Sequence, residues 1–257
     1  MPSEQQDITW SPFHVLGEDR PARWLILCDH ATNTLPPFLP DQSLGVSVED
    51  MERHIAYDIG AAGVALRLAE RLQAPAILSN FSRLVIDPNR GEDDPTLIRR
   101  LYDESIVPGN RHLDHVEVER RLTLCYRPYH DAVERVAARR DDTVIVSIHT
   151  YTPQLRHKPM RPWHVGLLFA DDARLSLPLA DLLGEDNDLV VGLNEPYSGY
   201  LTGDTIDRHA LRKGRQNTLI EIRNDLVSDQ AGQSAWADRL GDLLPRALYV
   251  AETRQGE

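Results

Sequence analysis

The sequence predicts an α/β fold: a single three-layer domain in which helices flank a mostly parallel mixed sheet. Short, continuous apolar segments are typical of strands buried on both faces of a parallel sheet. Segments with helical periodicity alternate with them along the chain. The 257 residues contain no internal repeat and no linker-like tract, and they are enough to bury a large core. We therefore expect one domain over residues 1–257.

The predicted strands are short apolar segments that end at polar or turn-forming residues. They cover 24–27, 74–78, 82–86, 144–148, 165–170, 188–193 and 218–222. The predicted helices repeat their apolar residues every three or four positions. They cover 49–72, 115–139, 175–183, 207–213 and 234–248. Alanines favour the first helix, and Pro128 should kink or divide the second. Residues 91–109 are predicted to form a polar loop with a helical piece at 97–102, and such long loops are often functional.

The charge of the chain excludes some classes of partner. The formal net charge is -12, so the average surface repels nucleic acid and anionic membranes. An anionic substrate would need local arginines or lysines in its pocket. The only two cysteines, Cys28 and Cys125, are not in a CxxC arrangement, which fits a reducing compartment. The polar segment 1–7 lacks the features of a signal peptide, and no apolar run is long enough to span a bilayer. We expect a cytoplasmic protein.

Polar motifs follow several of the predicted strands. His30 follows the strand 24–27, Asn89-Arg90 follows 82–86, His149 follows 144–148, and Glu221 lies near the end of 218–222. In open α/β sheets, ligands bind outside the carboxyl ends of the strands. Histidines, a carboxylate and an Asn-Arg pair at one sheet edge indicate a metal-assisted hydrolase that binds an anionic substrate.

His30 and His149 are the candidate metal ligands. Either one alone is more often a hydrogen-bonded structural residue, but both follow apolar strands of the same type and should emerge at the same edge. Imidazole is a common zinc ligand, and a catalytic zinc uses three protein ligands. The third ligand is open between Asn33, although a neutral amide is a poor ligand, and Asp58. Asp58 is predicted to lie in the helix one turn after His54, where the pair could equally be a solvated helix face.

Glu221 is the candidate general base, which would deprotonate water and later protonate the leaving amine. Alternation along the strand places Glu221 and Arg223 on the same face, so a structural Glu-Arg pair is the plainer interpretation. Asn89-Arg90 could simply form a turn. As a functional pair, Arg90 offers a forked cationic donor set for a carboxylate, and Asn89 adds a directional donor.

Two other classes of function remain open from the residues alone. One is a metal-free amidase with Cys28 or Ser147 as the nucleophile, although no GxSxG nucleophile elbow is present. The other is a non-catalytic binding module for acidic acyl amino acids that has lost its metal site at Asn33. Chelator insensitivity with thiol inactivation would indicate the first, and ligand binding without hydrolysis would indicate the second.

The chain resembles the N-formylglutamate amidohydrolase family from about His30 to Leu226. The resemblance is carried by eight ordered stretches: CDHATNTLPP, HIAYDIGAAGVALRLAERL, SRLVIDPNR, VPGNRHL, YRPYHDAV, SIHTYTP, NEPYSG and IEIRNDL. That family is in turn similar to the zinc carboxypeptidase and aspartoacylase group, which has a phosphorylase/hydrolase-like α/β fold.

The resemblance implies positions for the zinc site. His30 takes the first zinc position and His149 the last. At Asn33 this sequence departs from the Glu that ligates zinc in the carboxypeptidase group, and Asp58 is the substitute candidate. Glu221 takes the base role, and Asn89 and Arg90 take the role of binding the substrate carboxylate.

The resemblance also implies a reaction: hydrolysis of N-formyl-L-glutamate to formate and glutamate by water activated by one divalent metal, Zn²⁺, within histidine degradation. Arg83, Arg90 and Arg223 are candidates for offsetting the two substrate carboxylates. Tyr197 and His209 are weaker candidates for lining the pocket, and the segment 196–203 would suit a mobile flap. The expected partner is a small anionic acyl amino acid, without nucleic acid or membrane, and the expected state is a monomer or homodimer.

Overall fold

The structure, a computed structural model, describes residues 10–254, so the predicted absence of a signal peptide at 1–7 lies outside the described residues. Nine strands form within this range. They are β1 (Phe13–Leu16), β2 (Trp24–Cys28), β3 (Ala76–Ser79), β4 (Leu101–Tyr102), β5 (Ser105–Ile106), β6 (Val144–Tyr151), β7 (Val165–Leu168), β8 (Val191–Leu193) and β9 (Asn217–Arg223).

Seven of these strands form one sheet in the order β1-β3-β2-β6-β9-β7-β8, and β4 and β5 form a separate hairpin. The pairs β3/β2, β2/β6, β6/β9 and β7/β8 are parallel, whereas β1/β3 and β7/β9 are antiparallel. The predicted mostly parallel mixed sheet is confirmed. β2, β6 and β9 are neighbours at its centre, so the polar residues near their carboxyl ends meet at one edge.

Seven α-helices lie within the described range. They are α1 (Val48–Met51), α2 (Ala61–Arg71), α3 (His115–Arg121), α4 (Arg127–Ala137), α5 (Ser176–Leu183), α6 (Thr205–His209) and α7 (Gln230–Thr253). None of the helices in this range combines the length and apolar character that a membrane crossing requires.

The core has two parts, one on each face of the sheet. Helices α2, α5 and α7 contribute Val64, Leu179 and Leu240 to one part, together with alternate residues of the strands such as Ile26. Helix α4 and the segments around it contribute to the other part, which includes the intervening strand residue Leu25. Alternation along each strand thus supplies apolar side chains to both faces, which confirms the three-layer arrangement.

The predicted helix 49–72 is wrong in its middle. The structure has a four-residue helix at Val48–Met51 and a second helix that begins at Ala61. Gly60 occupies the left-handed region with a φ of +82°, and the backbone N–H of Asp58 donates to the carbonyl of His30 at 2.9 Å. Helical composition is overridden here by a tertiary contact that holds Asp58 beside His30.

Two shorter predictions are also wrong, and one strand was missed. Residues 82–86 form a turn, in which the N–H of Val85 donates to the Ser82 carbonyl, although their apolar side chains are buried as in a strand. The expected helical piece at 97–102 is instead a bend followed by the β4–β5 hairpin. β1, which no sequence pattern indicated, covers the edge of the sheet antiparallel to β3.

The predicted helix 115–139 is confirmed with a division. α3 and α4 are joined by a π-helical turn at Leu122–Tyr126, and Pro128 lies at the start of α4, where its missing N–H is tolerated. Such turns are frequent at functional sites. Tyr126 and Tyr129, on this part of the helix, donate through their hydroxyls to the Arg90 carbonyl at 2.6 Å and to Asp29 at 2.7 Å.

Candidate active site

A cavity of about 260 Å³ opens at the carboxyl ends of the central strands. Its wall brings together predicted site residues from six separate segments of the chain. Those that line it are His30, Asp58, Arg83, Asn89, Arg90, His149, Tyr197 and Glu221. The strand order β2-β6-β9 explains why His30, His149 and Glu221 meet. His30 closely follows β2, and His149 and Glu221 lie opposite each other on β6 and β9.

His30, Asp58 and His149 form a compact buried cluster. Nδ1 of His30 lies 3.2 Å from Oδ2 of Asp58, and Nδ1 of His149 lies 2.9 Å from the same oxygen. One donor atom of each residue lies within 4.8 Å of the other two. The two imidazole rings are nearly perpendicular, so their Nδ1 atoms approach the carboxylate from different directions. This is a geometry in which three side chains can face one ion.

The opposite nitrogen of each histidine faces a second carboxylate. Nε2 of His30 donates to Asp87 at 2.7 Å, and Nε2 of His149 donates to Asp29 at 3.0 Å. A carboxylate behind a metal-binding histidine fixes the tautomer, because it keeps the proton on the outer nitrogen and leaves the inner lone pair free. Both candidate ligands therefore have the outer partner that metal sites use.

The charges of this cluster also suit a divalent cation. With neutral imidazoles, three carboxylates (Asp29, Asp58 and Asp87) and one guanidinium (Arg83) leave an excess of two negative charges. Burial alone would raise the pKa of the Asp58 carboxyl, but charge and hydrogen bonds from His30 and His149 hold that pKa well below its usual range. Burial opposes protonation of His149, but hydrogen bonds to Asp29 and Asp58 outweigh it and raise the pKa of His149, so without a bound cation a protonated imidazole offsets part of this negative charge. Burial of Asp87 is likewise outweighed, here by Arg83 first, so its pKa is also lowered. The carboxylates stay ionised, and the residues present fit a metal such as zinc.

Residues proposed for other chemistry lie elsewhere. Asn33 donates through its side-chain amide to the carbonyl of Met51 at 2.9 Å and does not line the cavity, so Asp58 and not Asn33 accompanies the two histidines. Cys28 is fully buried, and burial together with nearby carboxylates raises the pKa of its thiol. Ser147 is also fully buried and donates to Asp29 at 3.0 Å. Neither side chain reaches the cavity, which argues against both as nucleophiles.

Glu221 carries the free carboxylate of the cavity. It is 7% exposed, and its Oε2 is buried without a hydrogen-bond partner among the described residues. Burial raises its pKa to about 7, and Asp58 adds to this effect while His149 opposes it. A carboxyl group with a pKa near neutrality can both accept and return a proton. Asp87, the carboxylate next to His30, is by contrast engaged with His30 and Arg83.

Asn89 and Arg90 lie on the cavity wall, as their position after the segment 82–86 predicts. The side-chain oxygen of Asn89 accepts from the N–H of Thr205 at 3.2 Å. Among the described residues, the guanidinium of Arg90 donates only to the Asn89 carbonyl, at 3.1 Å. Arg83 is engaged with Asp87 at 2.7 Å and with Asp58 at 3.3 Å. Unlike Arg83, Arg90 therefore has guanidinium N–H groups that are available to a ligand.

Two of the predicted substrate contacts do not reach the cavity. Arg223 pairs with Asp225 at 2.8 Å and does not line the cavity. His209 lies in a buried chain of polar contacts in which its Nε2 is 2.9 Å from Nδ1 of His130 and its Nδ1 is 3.1 Å from Glu134. The far nitrogen of His130 donates to the Pro88 carbonyl at 3.0 Å.

The segment 196–203 forms one side of the cavity and contains the lining residue Tyr197. Asn194 holds it against β7, because its side-chain oxygen accepts from the N–H groups of Phe169 and Gly199, both at 3.0 Å. At its far end, Gly203 has a φ of +80°, and a Cβ there would lie only 2.8 Å from Cα of Gly91. The predicted flap is therefore anchored at two points.

Sequence reasoning did not assign several further lining residues to the cavity, among them His54, Arg99, Tyr102 and Asp204. Burial lowers the pKa of His54 to about 4 and raises that of Asp204 to about 7. Asp29 and Asp87 were missed as partners of the histidines, although each lies in a strand-end motif that carries a predicted site residue. Arg99 and Tyr102 lie in a loop with no motif that would have pointed to them.

Comparison with known proteins agrees with this architecture. A family model described as N-formylglutamate amidohydrolase matches residues 22–228. A solved structure of a gene product from Agrobacterium tumefaciens is 34% identical, has a TM-score of 0.87, and the match covers 95% of this chain and 97% of that chain. N-formylglutamate amidohydrolase from Ralstonia eutropha JMP134 shares the fold, with 21% identity, a TM-score of 0.70, and coverage of 96% of this chain and 100% of that chain. A comparison with curated proteins found no match.

The resemblance drawn from the ordered sequence motifs is thereby confirmed over most of the chain. The family model matches residues 22–228. The amide hydrolysis named in its description is consistent with the buried histidine–carboxylate cluster and with the free carboxylate of Glu221. The chain belongs to the N-formylglutamate amidohydrolase family and is an amidohydrolase.

Proposed function

We propose that the protein is a metal-dependent hydrolase that cleaves the amide bond of an N-acyl amino acid, most simply N-formyl-L-glutamate. His30, Asp58 and His149 would hold one divalent ion. When bound, such an ion supplies Lewis acidity toward water and toward a carbonyl oxygen. Zinc as that ion, a cytoplasmic location, a monomer or homodimer, and a role in histidine degradation stay predictions.

The observation that carries the proposal is the orientation of the two histidines. Each directs Nδ1 toward Asp58 and Nε2 toward a separate carboxylate, Asp87 or Asp29. A structural histidine needs only one such partner. Two histidines that each face a buried carboxylate at Nε2 and share a third at Nδ1 have the outer partners that are usual for metal-binding histidines.

The remaining residues supply the chemistry that the chain itself performs. Oε2 of Glu221, which has no hydrogen-bond partner within residues 10–254, accepts a proton from the attacking water and then returns it to the nitrogen of the leaving amine. Arg90 and Asn89 bind the carboxylate of the amino acid and so orient the acyl group toward the cluster. Because Glu221 lies opposite His149 on the neighbouring strand, the base and the cluster stay in fixed register.

The size of the cavity favours a small substrate. Its volume of about 260 Å³ lies near the lower end of the usual range for ligand pockets. A single amino acid with a one-carbon acyl group suits this space better than a peptide does. The cationic side chains on the wall favour an anionic substrate, although the whole protein is acidic.

The proposal is tested by a hydrolysis screen. Purified protein without a His tag is treated with a chelator, reloaded with Zn²⁺, Mn²⁺ or Co²⁺, and assayed on N-formyl, N-acetyl and N-carbamoyl amino acids. We expect hydrolysis of an N-formyl amino acid that the chelator abolishes and one metal restores. Glu221→Gln is the matched control, since it should bind the metal and lack turnover. Hydrolysis that is independent of metal would contradict the proposal.

A further inference from the structure

The cavity wall contains three guanidinium groups in different states of neutralisation. Arg83 donates through Nε and Nη2 to Asp87 at 3.2 and 2.7 Å, and through Nη1 to Asp58 at 3.3 Å. Two buried carboxylates therefore hold it in place behind the histidine cluster. Arg83 has little capacity left for a substrate anion.

Arg90 and Arg99 form no ion pair with any described residue. Arg90 donates only to the carbonyl of Asn89, its own neighbour. The Nε of Arg99 is buried and has no hydrogen-bond partner among the described residues. A buried donor without a partner is costly, so a group that accepts from Arg99 would be bound at a favourable free energy. Two cations in one small cavity point to a ligand with two negative charges.

Contacts to both the guanidinium and the backbone carbonyl hold Arg99 in position. Its guanidinium carbon lies 4.4 Å from the ring centroid of Tyr102, over the aromatic face. Its carbonyl accepts from the side-chain amide of Asn110 at 2.8 Å, and Asn110 is itself fully buried and held by Arg121 at 2.7 Å. Such support keeps a binding group in its productive geometry before the ligand arrives.

We propose that Arg99 binds the second carboxylate of the substrate and thereby selects acidic acyl amino acids over neutral ones. Arg90 takes the carboxylate of the amino acid backbone, and Arg99 takes the carboxylate of its side chain. The inference rests on the proposed function and deepens it, because it names the residue that reads the substrate side chain. The stacking on Tyr102 leaves the forked donors of Arg99 available to a planar carboxylate.

The test compares kcat/KM for N-formyl-L-glutamate and for N-formyl-L-glutamine, which has the same shape and no side-chain charge. The wild type should prefer the glutamate compound, and Arg99→Met should lower that preference by about 10- to 100-fold, as expected for a charge-assisted bidentate contact. Arg99→Lys should fall between the two. Arg100→Met, which removes the same charge from the exposed neighbouring residue, should leave the ratio within about twofold.

A ratio measured within one variant does not depend on the folded fraction or on metal loading, so reduced stability cannot imitate the expected result. An unchanged ratio in Arg99→Met, or no preference in the wild type, would overturn the assignment. If the wild type hydrolyses neither compound, N-formyl-L-glutamate is not its substrate, and calorimetric binding of glutarate and its monoamide decides the inference. Preference for glutarate that Arg99→Met removes would support it, and equal binding of both by the wild type would overturn it.

Discussion

Replacing Asp87 with Asn should reverse the tautomer of His30. In the wild type, Oδ1 of Asp87 accepts from Nε2 of His30 at 2.7 Å, and Oδ2 accepts from Nη2 of Arg83 at 2.7 Å. An Asn has one oxygen and one NH₂ group. The oxygen would turn toward the permanently charged Arg83, and the NH₂ group would face His30 and the N–H of Asn89, which donates to Oδ1 of Asp87 at 3.0 Å in the wild type and would lose its acceptor. Nε2 of His30 could then only accept a hydrogen bond. The imidazole proton would therefore move to Nδ1, the nitrogen that faces Asp58.

The size of the effect follows from these contacts. Loss of the outer partner of a metal-binding histidine costs about 10- to 100-fold in metal affinity, or about 1.4–2.7 kcal/mol. Breaking a buried ion pair adds a loss of folding free energy of about 3 kcal/mol, reduced here because Arg83 keeps its contact with Asp58. We therefore expect a folded Asp87→Asn protein that binds zinc at least tenfold more weakly than the wild type.

The assay is competition for Zn²⁺ between the protein and a chromophoric chelator, with folding checked by circular dichroism. Asp172→Asn is the control, because Asp172 also pairs with an arginine, Arg174 at 2.7 Å, but does not line the cavity. It should keep wild-type affinity. A folded Asp87→Asn protein with wild-type zinc affinity would refute the tautomer argument.

Three further predictions follow from the site. Glu221→Gln should lower kcat by about 10²–10⁴ with metal content unchanged, and a kcat near the wild-type value would assign the proton transfer to another group. Arg90→Ala should cost a carboxylate substrate about 1.5–3 kcal/mol in kcat/KM and affect an amide-capped analogue far less, whereas equal losses would mean a structural role. Burial lowers the pKa of His130 well below its ordinary value, so its contribution to stability is complete above about pH 6.5 and is lost as pH falls. Urea unfolding measured between pH 6.5 and 5 gives the free energy of unfolding as a function of pH. The slope of that curve should be lower in His130→Phe than in the wild type by up to about 1.4 kcal/mol per pH unit, and parallel curves for the two proteins would contradict this.

The parts of the fold that the sequence could predict are those set by local patterns. Apolar runs identified β2, β6 and β9 within a few residues, and the parallel arrangement then implied that His30, His149 and Glu221 share one sheet edge. Strand direction alone decides which strand ends meet. The Asn89-Arg90 motif also lies at the cavity, but it follows a buried turn at 82–86 and not the strand that the sequence predicts there.

The parts that it could not predict depend on contacts between distant residues. The stretch around Asp58 has helical composition, yet its hydrogen bond to His30 and the left-handed Gly60 break the helix. Arg99 comes into the cavity because Asn110 and Arg121 hold its loop, and nothing in the local sequence reports those contacts. Patterns of neighbouring residues carry no information on such partners.

Because Gly91 and Gly203 touch beside Arg90 and Asp204, substrate preference can change without any substitution in the cavity wall. A methyl group on Gly91 would lie 3.1 Å from the Thr202 carbonyl and would force that carbonyl away by a few tenths of an ångström. Arg90, the residue before Gly91, would share the strain. Since a misplacement of about 1 Å at a binding group can cost about 10²-fold in rate, a shift of a few tenths would cost less but still change the rate. Laboratory evolution toward altered substrates should therefore recover replacements at Gly91, which a mutant library confined to the lining residues would never sample.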